Sequence, residues 1–292
     1  MNSKATAQET GRATVDPLLI NLAPTGMVPR RADSAHVPLT PDEIVADVLG
    51  AAEIGISIVH LHVRDDNGDP SSSPELYARV IGGIRSKRDD LIICVSCSGR
   101  GGISLEQRQA VLSLTGDLAP DMASLTLSSL NFATQASVNS PQTVTALAES
   151  MQQAGIMPEL EIFDLGMANM AGYLLKRGVI KAPLYANLLF GNIATAQGRL
   201  IDIAALTSAL PPDTVYSLAG IGAIQLSVAA IATAAAPGVR IGLEDNLWYD
   251  AARLRPATNQ GLVERVHALA GALGRPVMTP NQARRLLGLR QR

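Results

Sequence analysis

The chain has 292 residues, 47% of them hydrophobic, with a formal net charge of −2 and two cysteines. That length admits one large barrel or two ordinary domains, and the near-neutral charge without a basic block argues against a nucleic-acid partner. There is no run of about eighteen apolar residues, so no segment is expected to span a membrane, and two cysteines exclude a disulfide framework.

Met1 to Val15 is polar and lacks the apolar core of a signal peptide. Residues 1–16 are therefore expected to be a disordered tail, and the compartment cytoplasmic. Leu18-Leu19-Ile20-Asn21-Leu22 reads as a first buried strand, followed by a long loop from Ala23 to Leu39. Thr40-Pro41-Asp42-Glu43 announces a helix: threonine as N-cap, proline in the first turn, glutamate three residues after the cap. It should run from Pro41 to about Ile54 and stop at Gly55. The apolar run from Ile58 to Val63 reads as a strand that ends in the charged Arg64-Asp65-Asp66. Asn67-Gly68-Asp69-Pro70 is turn chemistry, and Pro74 to about Lys87 is a helix.

The alternation continues to the end of the chain. Leu91 to Ser96 is a strand, and Ser98-Gly99-Arg100-Gly101-Gly102 leads from it into a helix begun by Ser104. Further strands are expected at Met122–Leu127, Pro158–Phe163, Pro183–Leu189, Val215–Ala219 and Val239–Leu243. Helices fall between them: from Ser140-Pro141 to about Ala154, from about Gly166, from Ile201 to about Leu210, and from Gln225 to Ala236. Two more, about Gln260–Leu273 and Pro280–Leu287, close the chain. Short apolar strands alternating with helices indicate parallel βαβ units. Eight such units without a linker fit an α/β single domain over 17–292, a (β/α)₈ TIM barrel with an extra C-terminal helix.

Two motifs carry little. Cys94 and Cys97 match C-x-x-C, but residues three apart on a strand face opposite sides, and no second pair exists. The glycine-rich run could cradle a phosphate through backbone N–H groups or be a plain turn; it lacks the spacing of a nucleotide fingerprint.

Strand parity gathers the polar residues. His60 and His62, two apart, point the same way and could form a pair of metal ligands or two hydrogen-bonded core histidines. In such a barrel the active site forms at the strand ends. There Ser96, Ser124, Thr126, Glu161 and Asn187 are candidates for contact with a ligand. Glu159 shares a face with Glu161, and Tyr185 with Asn187. On the eighth strand Arg240 and Glu244 share a parity, making Glu244 a plausible third ligand. Two imidazoles and a carboxylate leave positions open, as in a catalytic zinc site. Glu244 and Asp245 could instead form a solvated loop paired with Arg240.

Two strings carry a resemblance. His60-Leu61-His62-Val63-Arg64-Asp65-Asp66-Asn67-Gly68 and Gly242-Leu243-Glu244-Asp245-Asn246 are similar to the two signatures of the β-keto acid cleavage enzymes. Pro120-Asp121-Met122-Ala123-Ser124-Leu125, Pro158-Glu159-Leu160-Glu161-Ile162-Phe163 and Ala219-Gly220-Ile221-Gly222 extend the likeness, which covers about residue 17 to the end. It implies a barrel, a Zn²⁺ held by His60, His62 and Glu244, and a homo-oligomer, with a tetramer favoured. The implied reaction takes a β-keto acid and acetyl-CoA to acetoacetate and a new acyl-CoA. The family's Arg–Asp pair, which assists substrate deprotonation, falls on Arg240 and Asp245. Its substrate-contacting serine falls on Ser96, and its strand-four threonine on Ser124. Arg240 would hold Asp245 ionised and oriented as a base.

The chain also departs from that pattern. Where the member acting on a 5-amino keto acid has a glutamate for the substrate ammonium, this chain has Val28. Ala223 replaces an arginine, and Gln225 a histidine. Valine cannot balance a cation, so a substrate with an uncharged, apolar tail is expected. The rival readings are a zinc-dependent class II-type aldolase that uses no CoA, and a metal-binding barrel without activity. An amidohydrolase would need more histidines at strand ends than His36 and His267 could supply.

Overall fold

The apolar runs fold into one closed sheet. Its strands are β1 (Leu19–Leu22), β2 (Ile58–Leu61), β3 (Ile92–Val95), β4 (Met122–Thr126), β5 (Met157–Ile162), β6 (Tyr185–Phe190), β7 (Val215–Gly220) and β8 (Gly238–Ile241). Each lies parallel to its sequence neighbour, and β8 pairs back onto β1 to complete the expected TIM barrel. The computed structural model describes residues 15–292; the tail expected over 1–16 lies outside the described residues except for Val15 and Asp16, both exposed.

The helices begin where the sequence provides caps. Helix α1 (Pro41–Ile54) has the full Thr40/Glu43 capping box, and α2 (Pro74–Arg85), α4 (Pro141–Ala154) and α9 (Pro280–Leu286) each start on a proline behind a serine or threonine cap. Helices α3 (Leu105–Ala110), α5 (Leu165–Lys176), α6 (Leu200–Ala209), α7 (Gln225–Ala235) and α8 (Asn259–Ala272) complete the set among the described residues. None is long and apolar enough to cross a membrane.

Alternation along the strands divides the interior into storeys. The lowest is apolar, built from Leu19, Ile58, Ile92 and Met122, and Ala283 of α9 and Leu287 just after it plug it from below. The extra C-terminal helix thus closes the barrel floor. Above it the inward side chains turn polar: Asn21, His60, Glu159, Asn187 and Ser217 are all fully buried. Outward side chains pack with the helices into the main core. Polar residues inside a barrel need partners, and the site is built from those partnerships.

Two details differ from the sequence reading. Strand β2 stops at Leu61, so His62 lies just past it and leads into a short hairpin, Val63–Arg64 against Pro70–Ser71. A second hairpin, Leu130–Asn131 against Ala136–Ser137, rises after β4 in a stretch to which the sequence reading assigned no element.

One half-buried carboxyl outside the barrel has a consequence for stability. Asp47 of α1 accepts hydrogen bonds from Asn259 Nδ2 at 2.6 Å and Gln260 Nε2 at 3.1 Å, joining α1 to α8. Burial nevertheless pushes its carboxyl up to about 6. The folded chain therefore holds this proton more tightly than the unfolded chain. Stability falls as the pH rises from the ordinary value of 3.8 through about 6. Asp47→Asn removes that dependence. Its Tm relative to the wild type should be more favourable at about pH 7.5 than at about pH 4. A difference independent of pH would show that Asp47 is not shifted.

Candidate active site

The C-terminal mouth of the barrel gathers three side chains onto one point. His60 is the last inward-facing residue of β2, His62 follows by parity, and Glu244 sits in the turn after β8. That turn needs glycine: at Gly242 (φ +152°) a Cβ would lie 2.0 Å from the Ala23 carbonyl oxygen. The close approach of the two loops brings Glu244 over the histidines. His60 Nε2 and His62 Nε2 are 3.3 Å apart, and His62 Nε2 is 3.5 Å from Glu244 Oε1.

These three residues present ligand atoms all within 4.8 Å of one another. Two nitrogens bound to a tetrahedral zinc at about 2.0–2.1 Å stand roughly this far apart. Glu244 Oε2 is buried without a hydrogen-bond partner, a free acceptor on the same carboxylate. The donor set therefore fits a divalent metal with open positions.

A second storey orients the first. His60 Nδ1 meets Glu159 Oε2 at 2.5 Å, and the same oxygen accepts from Cys94 Sγ at 3.2 Å. Asn21 Nδ2 donates to Glu159 Oε1 at 2.8 Å and lies 3.1 Å from Tyr185 Oη, which in turn contacts Ser217 Oγ at 2.8 Å. Burial opposes charge on this pair, yet the Glu159 carboxylate holds His60 up at about 9. His60 in return holds Glu159 down at about 2, again against burial. Cys94 is driven the other way: burial, then Glu159, raises its thiol well above the ordinary range. It is a buried thiol held against Glu159.

Arg240 ties the acidic groups together. Its Nε donates to Asp245 Oδ2 at 3.0 Å, and its Nη2 donates to Glu244 Oε1 at 2.7 Å and Asp245 Oδ1 at 3.2 Å. Glu244 and Asp245 are thus drawn inward by a buried arginine and do not form a solvated loop. Burial resists charge on Glu244, but Arg240 and the two histidines keep it well below the ordinary carboxylate range. Asp245 goes the other way. Burial, reinforced by Glu244, outweighs Arg240 and raises its carboxyl. Arg240 orients Asp245 but does not keep it as readily ionised as expected.

These groups open onto a cavity of about 620 Å³. His62, Glu244 and Asp245 form one side, and Ser96, Thr126 and Glu161 another. The remaining wall is largely apolar and includes Val28, Phe132, Phe163 and Ile193. The second hairpin overhangs it, with Phe132 packed edge-on against Phe163 at 5.9 Å.

A family model described as beta-keto acid cleavage enzyme matches residues 17–289. The chain belongs to this family. It is 41% identical to the 3-oxoadipate:acetyl-CoA acetyltransferase of Cupriavidus necator over 94% of this chain and 95% of that one. It is also 34% identical to the 3-keto-5-aminohexanoate cleavage enzyme of Fusobacterium nucleatum, over 95% and 100%. Among solved structures, apo ObcA superposes with a TM-score of 0.77 at 20% identity, covering 88% of this chain and 66% of that one. That likeness is one of fold.

Within this β-keto acid cleavage enzyme the expected site residues separate into two groups. His60, His62, Glu244, Arg240 and Asp245 cluster, and Val28, Ser96, Thr126 and Glu161 face the same cavity. Thr126 Oγ1 donates to Glu161 Oε2 at 2.5 Å. Ser124 and Asn187 do not reach the cavity wall, because each lies one storey lower on its strand. Ser124 Oγ accepts from the Cys97 N–H at 3.1 Å, and Asn187 Oδ1 accepts from Tyr185 Oη at 3.2 Å. The departures from the family pattern divide likewise. Val28 lines the cavity, Ala223 lies outside it, and buried Gln225 Nε2 donates to the Gly242 carbonyl at 2.9 Å. Glu159 and Arg100 were not among the expected site residues. Glu159 had a signal, its shared parity with Glu161; Arg100 had none beyond its glycine-rich surroundings.

Proposed function

We propose that this chain transfers an acyl group between a β-keto acid and acetyl-CoA, giving acetoacetate and a new acyl-CoA. The observation carrying this reading is the convergence of His60, His62 and Glu244 with the Arg240–Asp245 pair on one cavity. The printed activity of the 41%-identical relative, which names acetyl-CoA, supports the co-substrate.

His60, His62 and Glu244 would hold the Zn²⁺, and a bound zinc supplies Lewis-acid stabilisation of negative charge on the former ketone oxygen. Asp245 removes a proton from the carbon between ketone and carboxylate. Its raised affinity for a proton suits a base that must take one at neutral pH. Arg240 holds both Asp245 oxygens in place through the transfer. Ser96, whose Oγ only accepts from the Ser98 N–H, has its hydroxyl hydrogen free for the substrate carboxylate; Thr126 spends its own on Glu161. Glu159 fixes the His60 ring through Nδ1, so that Nε2 alone is left for a ligand.

The tail takes no ammonium. Val28 lies at the cavity with 59% of its surface exposed and presents an isopropyl group there. Apolar contact is worth about 25 cal/mol per Å² buried, whereas a buried unpaired charge costs several kcal/mol. We expect an apolar stretch of tail beside Val28. Incubating the zinc-loaded protein with acetyl-CoA and a panel of β-keto acids should yield acetoacetate, with the apolar-tailed acids preferred over the 5-amino compound. Val28→Glu should move kcat/KM toward the amino substrate by about tenfold or more. Cleavage without acetyl-CoA would indicate an aldolase. A wild type that favours the amino substrate would overturn the tail assignment.

A further inference from the structure

The buried arginines of this chain spend their guanidinium groups on protein acceptors. Arg64 donates to the Gly26 and Pro29 carbonyls, Arg108 to the Cys97 carbonyl and Asn139, and Arg284 to Asp121 and Leu91. Arg240 is committed to Glu244 and Asp245. Arg100 is the exception. Among the described residues lining the active-site cavity it is the only arginine or lysine. Its guanidinium has no hydrogen bond or ion pair to any described residue. It lies over the Phe132 ring, Cζ 3.4 Å from the centroid, and its backbone bridges Ser137 of the overhanging hairpin.

A planar cation laid on an aromatic face keeps all its N–H donors in one plane, where a carboxylate can take two at once. Holding such a group half-buried without a partner is unfavourable unless a ligand completes it. We propose that Arg100 receives a second carboxylate, at the far end of the β-keto acid's tail, so that the favoured substrate is a short β-keto diacid. This rests on the acyl-transfer reading above and deepens it. Methylenes beside Val28 and an acid at Arg100 replace the wholly uncharged tail read from Val28 alone.

Two other anions could reach an arginine here. The phosphates of CoA lie a full pantetheine arm from the thioester carbon. Arg100 lines the same cavity as Glu244, Glu161 and Asp245, all at the reacting centre. A group that reaches it there belongs to the keto acid, not to the CoA phosphates. The substrate's own first carboxylate is the other candidate, but Ser96 already offers it a hydroxyl beside the reacting centre.

The test compares 3-oxoadipate with 3-oxohexanoate, equal in chain length and differing in the terminal acid. In the zinc-loaded wild type, kcat/KM should favour the diacid. In Arg100→Met, which keeps the stem and removes the charge, that preference should fall on the order of 10- to 100-fold. Arg100→Lys should recover part of it. Equal losses for both substrates would assign Arg100 to the first carboxylate and overturn the proposal. So would a raised KM for acetyl-CoA with the tail preference unchanged. Calorimetric binding of the two acids gives a readout that needs no turnover. If neither acid is cleaved but the diacid binds more tightly in wild type alone, the tail subsite stands and the activity reading fails. Equal binding of the two acids would overturn the subsite.

Discussion

His60→Ala is expected to lose the metal and about 3–5 kcal/mol of folding stability, whereas His62→Ala should lose the metal at much smaller cost to the fold. Both rings present Nε2 to the same point, so either deletion leaves two protein ligands. Only His60 has a second partner. Deleting its ring strands the fully buried Glu159 carboxylate, with Asn21 and Cys94 as its remaining hydrogen bonds. The pH dependence follows from Glu159. Burial works against its charge, and His60 holds it down at about 2. A depressed carboxyl contributes stability above the ordinary value of 4.5, and that contribution is lost as the pH falls toward about 2. His60→Ala has no such contribution to lose, so its deficit should narrow as the pH drops. Elemental analysis reads the metal, and urea melts of metal-free proteins read the fold without ligand linkage. Full metal occupancy in either variant would remove the ligand assignment. Equal stability of the two variants would remove the pairing of Glu159 with His60.

The parts of the site legible in the sequence are those set by a period of two. Once a run is recognised as an inward-facing strand, His60 with His62, Glu159 with Glu161, and Tyr185 with Asn187 follow from parity alone. Arg240 and Glu244 follow across the turn in the same way. Parity gives the face but not the height. Ser124 and Asn187 share the right face and still miss the cavity, because the depth of each storey depends on how the strands stagger around the barrel. The contact between His60 and Glu159 was hidden for a related reason. These residues lie on β2 and β5, which are not neighbours in the sheet, and they meet only because the barrel closes. The hairpin that places Phe132 under Arg100 has two-residue strands and no glycine or asparagine in Phe132-Ala133-Thr134-Gln135, so no turn chemistry marked it. Arg100 could therefore be read only from its company in three dimensions.

Asp245→Asn should lower turnover on the order of 10² to 10⁴ while leaving the metal in place. The metal is retained because Glu244, not Asp245, faces the histidines. The substitution is not silent structurally. Arg240 donates to both Asp245 oxygens, and an asparagine can accept at only one, so its NH₂ would face a donor. That mismatch costs about 1–3 kcal/mol, which a melt should register beside the kinetic loss. The pH–rate profile separates a base from an orienting group. Asp245 is held above its ordinary value by burial and by Glu244, against Arg240. Activity should therefore rise with pH along a limb displaced upward from the ordinary aspartate value, as the base loses its proton. In Asp245→Asn that limb should vanish, because nothing is left to titrate there. A variant that turns over slowly but keeps the limb would move the base to another carboxylate. Glu161 is the next choice, since it faces the same cavity and its Oε2 accepts from Thr126.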